Sequence, residues 1–140
     1  MSVQAILLPL FVEVMLTFAL LIWMGPLRAR DLKSGVAKVD TIALREPNWS
    51  KHTLQVAYSF SNQFELPVLF YVLTILAFVT HLAGVVFVVL AWIFVLFRLM
   101  HACVHVTSNK VQLRGGIYGI AAIALVLNWA IYIVEVLTLP

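Results

Sequence analysis

Residues 82–106 read LAGVVFVVLAWIFVLFRLMHACVHV, an apolar run broken only in its second half, by Arg98, His101 and His105. A bilayer crossing needs about 20 mostly apolar residues, and this run is long enough. Its three basic positions are three and four residues apart, so they share one face of a helix. A charged side chain at bilayer depth is costly unless paired or hydrated, so that face must point at protein rather than lipid. The stretch therefore predicts a helix in a membrane bundle.

Upstream, residues 54–80 form a second apolar run. The connection between the two, Thr80 to Gly84, is so short that they must make a tight antiparallel hairpin. Residues 3–24 and 117–139 supply two more crossings. The reading is an all-α integral membrane bundle of four antiparallel helices, one domain over 1–140. Its single extended polar loop spans 25–51, where Pro26, Gly35, Pro47 and mixed charges break any periodicity and leave room for one short surface helix. The first run is long and lacks a basic start, so it is expected to stay as a helix rather than be cleaved as a signal.

Composition agrees, with 64% hydrophobic and 11% charged residues and a mean hydropathy of +1.06. It excludes a soluble domain, a disordered tail and a nucleic-acid module, and Cys103 as the lone cysteine excludes a disulfide framework. Arg28, Arg30, Lys33, Lys38, Arg45, Lys51, Lys110 and Arg114 all fall in or beside the first and third connections. The positive-inside rule puts those connections in the cytoplasm and both termini on the opposite side. The pI near 9.3 thus reports orientation rather than a nucleic-acid partner.

Glu13, Glu65, Arg98, His101 and Glu135 interrupt the apolar runs and are the default functional candidates. In the second run Gln55, Tyr58, Asn62 and Glu65 recur at spacings of three and four, a polar stripe that the hairpin sets beside Arg98, His101 and His105. One reading pairs Glu65 with Arg98 in a dry bundle, with Asn62 and His101 satisfying leftover hydrogen bonds. The other is a pocket open toward the basic loops, favoured because the stripes continue through Gln55 and His105 to that end. Arg114, one turn before Tyr118 and followed by Gly115 and Gly116, suits either a headgroup anchor or a guanidinium that stabilises a thiolate or other anion.

His101 and His105 form H-x-x-x-H, a spacing that can hold a metal, but no third ligand is evident and none is expected. Cys103, on another face of that helix, reads as packing. Asn128, Tyr132 and Glu135 make a further stripe near the outer end, and Glu13 stands in the first run without an evident partner. Pro9 and Pro67 should bend their helices.

These residues in this order resemble the MAPEG superfamily, membrane-associated proteins in eicosanoid and glutathione metabolism. The resemblance rests on the four-helix pattern, Arg28-Ala-Arg30, the run Asn62-Gln-Phe-Glu65-Leu-Pro67, the pair Arg98 and His101, and Arg114 with Tyr118. It implies a homotrimer with glutathione bound between subunits near the cytoplasmic face. Asn62, Glu65, Arg98 and His101 would hold the peptide, with His105 nearby, and Arg28 or Arg30 would reach it from the first helix end. Arg114 would stabilise the thiolate beside Tyr118. Tyr58, His105 and Gly115 depart from the family pattern, which carries arginine, tyrosine and often serine there. Losing a charge-assisted contact weakens binding by about 1.5 to 3 kcal/mol.

The resemblance thus implies a glutathione-dependent transferase or peroxidase acting on lipophilic electrophiles that arrive through the bilayer, in a bacterial inner membrane. Two alternatives stand beside it. One is a non-catalytic ligand- or lipid-binding scaffold on the same fold. The other is a small proton-coupled exporter using Glu13, a residue the enzyme reading leaves at the periphery.

Overall fold

The structure, a computed structural model, describes residues 1–138. Helix α1 spans Val3–Lys33, α2 Lys51–Ser61, α3 Leu66–Val79, α4 Val85–Val106 and α5 Val111–Thr138, with no strand among the described residues. Helices α2 and α3 follow one another as a single interrupted crossing, so there are four segments long and apolar enough to span a bilayer. The chain is an integral membrane protein built as an all-helical bundle.

Its inside-out character follows from the solvent. Lipid offers no hydrogen bonds, so apolar side chains cover the outside and polar ones retreat inward. Ile22, Met15 and Val126 are 72%, 66% and 65% exposed, whereas Glu13, Arg98 and Thr74 are completely buried. Phe70, Leu73 and Ala77 of α3 meet Phe87, Ala91, Phe94 and Val95 of α4 and Ala121, Ala124 and Leu125 of α5. The alanines bring backbones close, as membrane helix packing favours. A second cluster at the basic end joins Leu20, Met24 and Leu27 of α1 to Val56 and Ala57 of α2 and Val106 of α4.

Helix boundaries differ from the sequence reading in three places. The first helix runs to Lys33, through Pro26, instead of ending at residue 24. Its 31 residues reach about 46 Å at ~1.5 Å per residue, beyond a hydrocarbon core of roughly 30 Å. Leu27 and Asp31 are buried, so tertiary contact sustains helix past the proline until Gly35 ends it at φ 75°. The second crossing begins at Lys51 and is broken by a 3-10 turn at Asn62–Phe64. The last helix starts at Val111, leaving only residues 107–110 as the third connection. The expected surface helix in the first loop is a single 3-10 turn at Val39–Thr41.

The hairpin is as tight as its sequence demands. His81 takes a left-handed φ of 59°, and the Leu82 N–H returns to the carbonyl of Ala77 at 3.0 Å, closing α3 in a Schellman arrangement. The outer polar stripe has partners here: buried Asn128 donates to the Phe87 carbonyl at 3.2 Å, and the Tyr132 hydroxyl lies 3.5 Å from that of Thr80. Glu135 borders a cleft of about 130 Å³ beside the hairpin. Cys103 is exposed on α4 rather than packed, because its face of the helix turns away from the bundle.

The start of α2 is tied to the end of α1. Asp31, only 2% exposed, accepts the Ser50 backbone N–H at 2.9 Å, one of the orphan donors at that helix start. Replacing Asp31 by Ala should lower stability by about 1 to 3 kcal/mol, the penalty for an unsatisfied buried donor, read as a fall in the thermal midpoint in detergent. An unchanged midpoint would show that water replaces the carboxylate freely.

Candidate functional site

The break in the second crossing sets up the polar interior. Pro67, in the first turn of α3, has no N–H to give the preceding turn. Helical bonding lapses, and the Asn62 carbonyl receives only a long 3.5 Å bond from the Glu65 N–H. Inside a membrane such a carbonyl needs a donor, and α4 supplies one. Arg98 gives Nη2–H to the Asn62 carbonyl at 2.9 Å and Nη1–H to the Asn62 side-chain oxygen at 2.8 Å.

Behind the guanidinium lies Glu13 of α1, its Oε1 3.6 Å from Arg98 Nε, and neither side chain is exposed at all. In front, Asn62 Nδ2 donates to Glu65 Oε2 at 3.2 Å. Glu13, Arg98, Asn62 and Glu65 thus form a chain from the bundle interior to an exposed carboxylate. Tyr118 of α5 presents its ring to the Arg98 guanidinium at 5.7 Å. His101 sits between the Tyr118 ring at 5.5 Å and the His105 ring at 5.7 Å.

Two expectations change. The ion pair that one of the two readings drew between Glu65 and Arg98 is made by Glu13 and Arg98, while Glu65 is exposed past the 3-10 turn and linked through Asn62. Glu13, expected at the periphery, is at the centre. Helical spacing shows which residues share a face on one helix but not which face of α1 meets α4, so its partner could not be read from spacing.

Toward the basic end, two cavities flank Tyr58. One, of about 470 Å³, is lined by Gln55, Tyr58, His105, Asn109 and Arg114 among others, a size within the roughly 300–1,000 Å³ typical of small-molecule sites. Asn109 accepts from Arg114 Nη1 at 2.7 Å and so fixes the guanidinium. The other cavity, of about 510 Å³, is bordered by Arg28, Arg45, Trp49 and Tyr58. Arg28 lies over the Trp49 ring at 5.2 Å. Arg30 stands outside both, 61% exposed and 3.8 Å from Asp31.

The candidate residues therefore fall into three groups. Asn62, Glu65, Arg98, His101 and Tyr118 join the polar chain and its ring stack, and His105 and Arg114 share the smaller cavity. Arg28 belongs to the larger one. His101 Nδ1 and His105 Nδ1 are buried without a hydrogen-bond partner, donor or acceptor capacity still unspent. No cluster of three His, Cys, Asp or Glu that could hold a metal exists among the described residues. Sequence reasoning missed Asn109 and Arg45. Their shared signal is a left-handed backbone, φ 49° and 67°, which residue type alone suggests for asparagine but not for arginine.

Removing one partner of a buried ion pair strands the other, so Glu13→Leu and Arg98→Met should each cost about 3 to 5 kcal/mol in unfolding from detergent. The double variant should lose less than the sum of the two. Strict additivity would mean that the two side chains do not interact.

The MAPEG family model matches residues 6–134, a span that includes the polar chain from Glu13 to Glu65 and both cavities at the basic end. No curated protein and no solved structure matches the chain. With four membrane-crossing segments and a match that runs from the first helix into the last, the chain belongs to the MAPEG family.

Proposed function

We propose that this protein is a glutathione-dependent transferase or peroxidase acting on lipophilic electrophiles, at sites completed between the subunits of a homotrimer. The observation that carries the reading is that Arg114 and His105 line one cavity at the basic end of the bundle. When bound, glutathione supplies the thiol that serves as nucleophile.

The residues fit such a ligand. The cavity has a fixed cation in Arg114, held by Asn109, and an unpartnered imidazole nitrogen in His105. A guanidinium beside a thiol favours the thiolate, the more so where low dielectric weakens screening. His105 would take up the thiol proton. Tyr118, one turn along α5 from Arg114, would return a proton to the departing atom as its bond to carbon or oxygen breaks.

Asn62 and Glu65 would contribute from the end of the polar chain. Arg98, whose three guanidinium nitrogens face Asn62 and Glu13, would act by holding Asn62 in place, and His101 by packing Tyr118 and His105. Arg28 would reach the ligand only across Tyr58, and Arg30 only if a neighbouring subunit folds it in.

An exposed carboxylate on a membrane helix supports the trimer. Glu65 is costly against lipid, and a second subunit over it would remove that cost while closing the site. The basic connections would face the cytoplasm of a bacterial inner membrane, and the second substrate would enter laterally from the bilayer. The scaffold alternative keeps the same cavity without turnover. The exporter alternative loses its main support, since Glu13 is paired with Arg98 rather than standing alone.

Titrating glutathione into the detergent-solubilised protein should give saturable binding with a thiolate absorbance. Arg114→Ala should weaken that signal about tenfold, as expected for loss of a contact worth about 1.5 kcal/mol. No binding at millimolar glutathione, or an undiminished thiolate signal in the variant, would overturn the reading.

A further inference from the structure

The larger cavity holds neither Arg114 nor His105, the groups assigned above to the thiol, yet its lining is specific. It lies where the apolar stretch of α1 gives way to its basic end, with Met24 in the lining and Arg28 one turn later. Arg28 is stacked on Trp49, which holds its guanidinium at the cavity wall. Arg45 approaches from the loop, its backbone left-handed at φ 67°, a conformation that a β-carbon disfavours.

The turn that holds Arg45 is built by its neighbour. Glu46, the one carboxylate in the lining, accepts the Leu44 N–H at 2.8 Å, so part of its charge is engaged with the backbone. Two guanidiniums face one committed carboxylate, and the balance selects an anion. Below them Leu54, Ala57 and Phe60 give an apolar floor. Phe64, also in the lining, is 60% exposed and offers a surface for acyl chains.

We propose that this cavity binds the phosphate of an anionic phospholipid, gripped by Arg28 and Arg45, with the acyl chains lying along Phe64 and the adjoining apolar surface. A small soluble anion would use the guanidiniums but leave the apolar floor and flanks unused. A zwitterionic lipid would bring its own cation against two arginines.

Native mass spectrometry of the detergent-purified protein, with phosphatidylglycerol and phosphatidylcholine of equal chain length and no thiol present, tests this separately from the enzymatic reading. The wild-type protein should retain phosphatidylglycerol at least several-fold better. The pair Arg28→Gln and Arg45→Gln should abolish that preference. The pair Lys33→Gln and Lys38→Gln removes the same charge from the same loop region away from the cavity, and should keep it. Arg28→Gln alone leaves the Arg45 turn intact and should cause a partial loss, which guards against a misfolded double variant.

Equal loss in both double variants would reduce the effect to diffuse loop charge and overturn the site. Retained preference in the arginine pair would do the same. Thermal protection by inorganic phosphate equal to that by phosphatidylglycerol would overturn the lipid assignment in favour of a soluble anion.

Discussion

One guanidinium holds this bundle together. Arg98 is the sole Lys or Arg inside an apolar crossing, and it reaches three other crossings from the fourth: Glu13 on α1, Asn62 at the end of α2, and the Tyr118 ring on α5. In hydrocarbon such a group has no water to fall back on, so each contact is also a constraint on where a neighbouring helix can sit. The break at Asn62 is tolerable because Arg98 occupies the carbonyl it releases. The break in turn moves Glu65 to the outside of the chain, and with it the most exposed end of the polar network.

Much of this was legible in the sequence because a membrane makes composition decisive. Four apolar runs, one tight hairpin and the sorting of basic residues to one end all follow from local properties of the chain. The co-location of Asn62 and Glu65 with Arg98 and His101 was also readable, since helical spacing plus a short connection leaves little freedom. What escaped were relations between elements far apart in sequence. No spacing rule says which face of α1 meets α4, so Glu13 appeared solitary. Pro26 resembled a stop signal, but burial of Leu27 and Asp31 against α2 outweighs the loss of one backbone bond.

The candidate site shows the same division. His105 and Arg114 stand on different helices but only one short connection apart, and they line one cavity. Arg28 lies much farther away in the chain and occupies a different cavity on the other side of Tyr58. A side chain standing where a positive charge is absent thus separates two chambers with different linings: one with an arginine and an imidazole, the other with two arginines over an apolar floor. Family membership establishes the scaffold on which both are built.

The long chain separation between Glu13 and Arg98 bears on how the protein enters its membrane. Glu13 is made with the first helix, before Arg98 exists to pair with it, and that situation persists while the broken crossing is made. Arg98 arrives only with α4, delivered by the tight turn at His81. Until then neither polar group is compensated, and the carbonyl at the break has no donor either. Satisfying these groups therefore ties the first three crossings to one another rather than leaving each to stand alone.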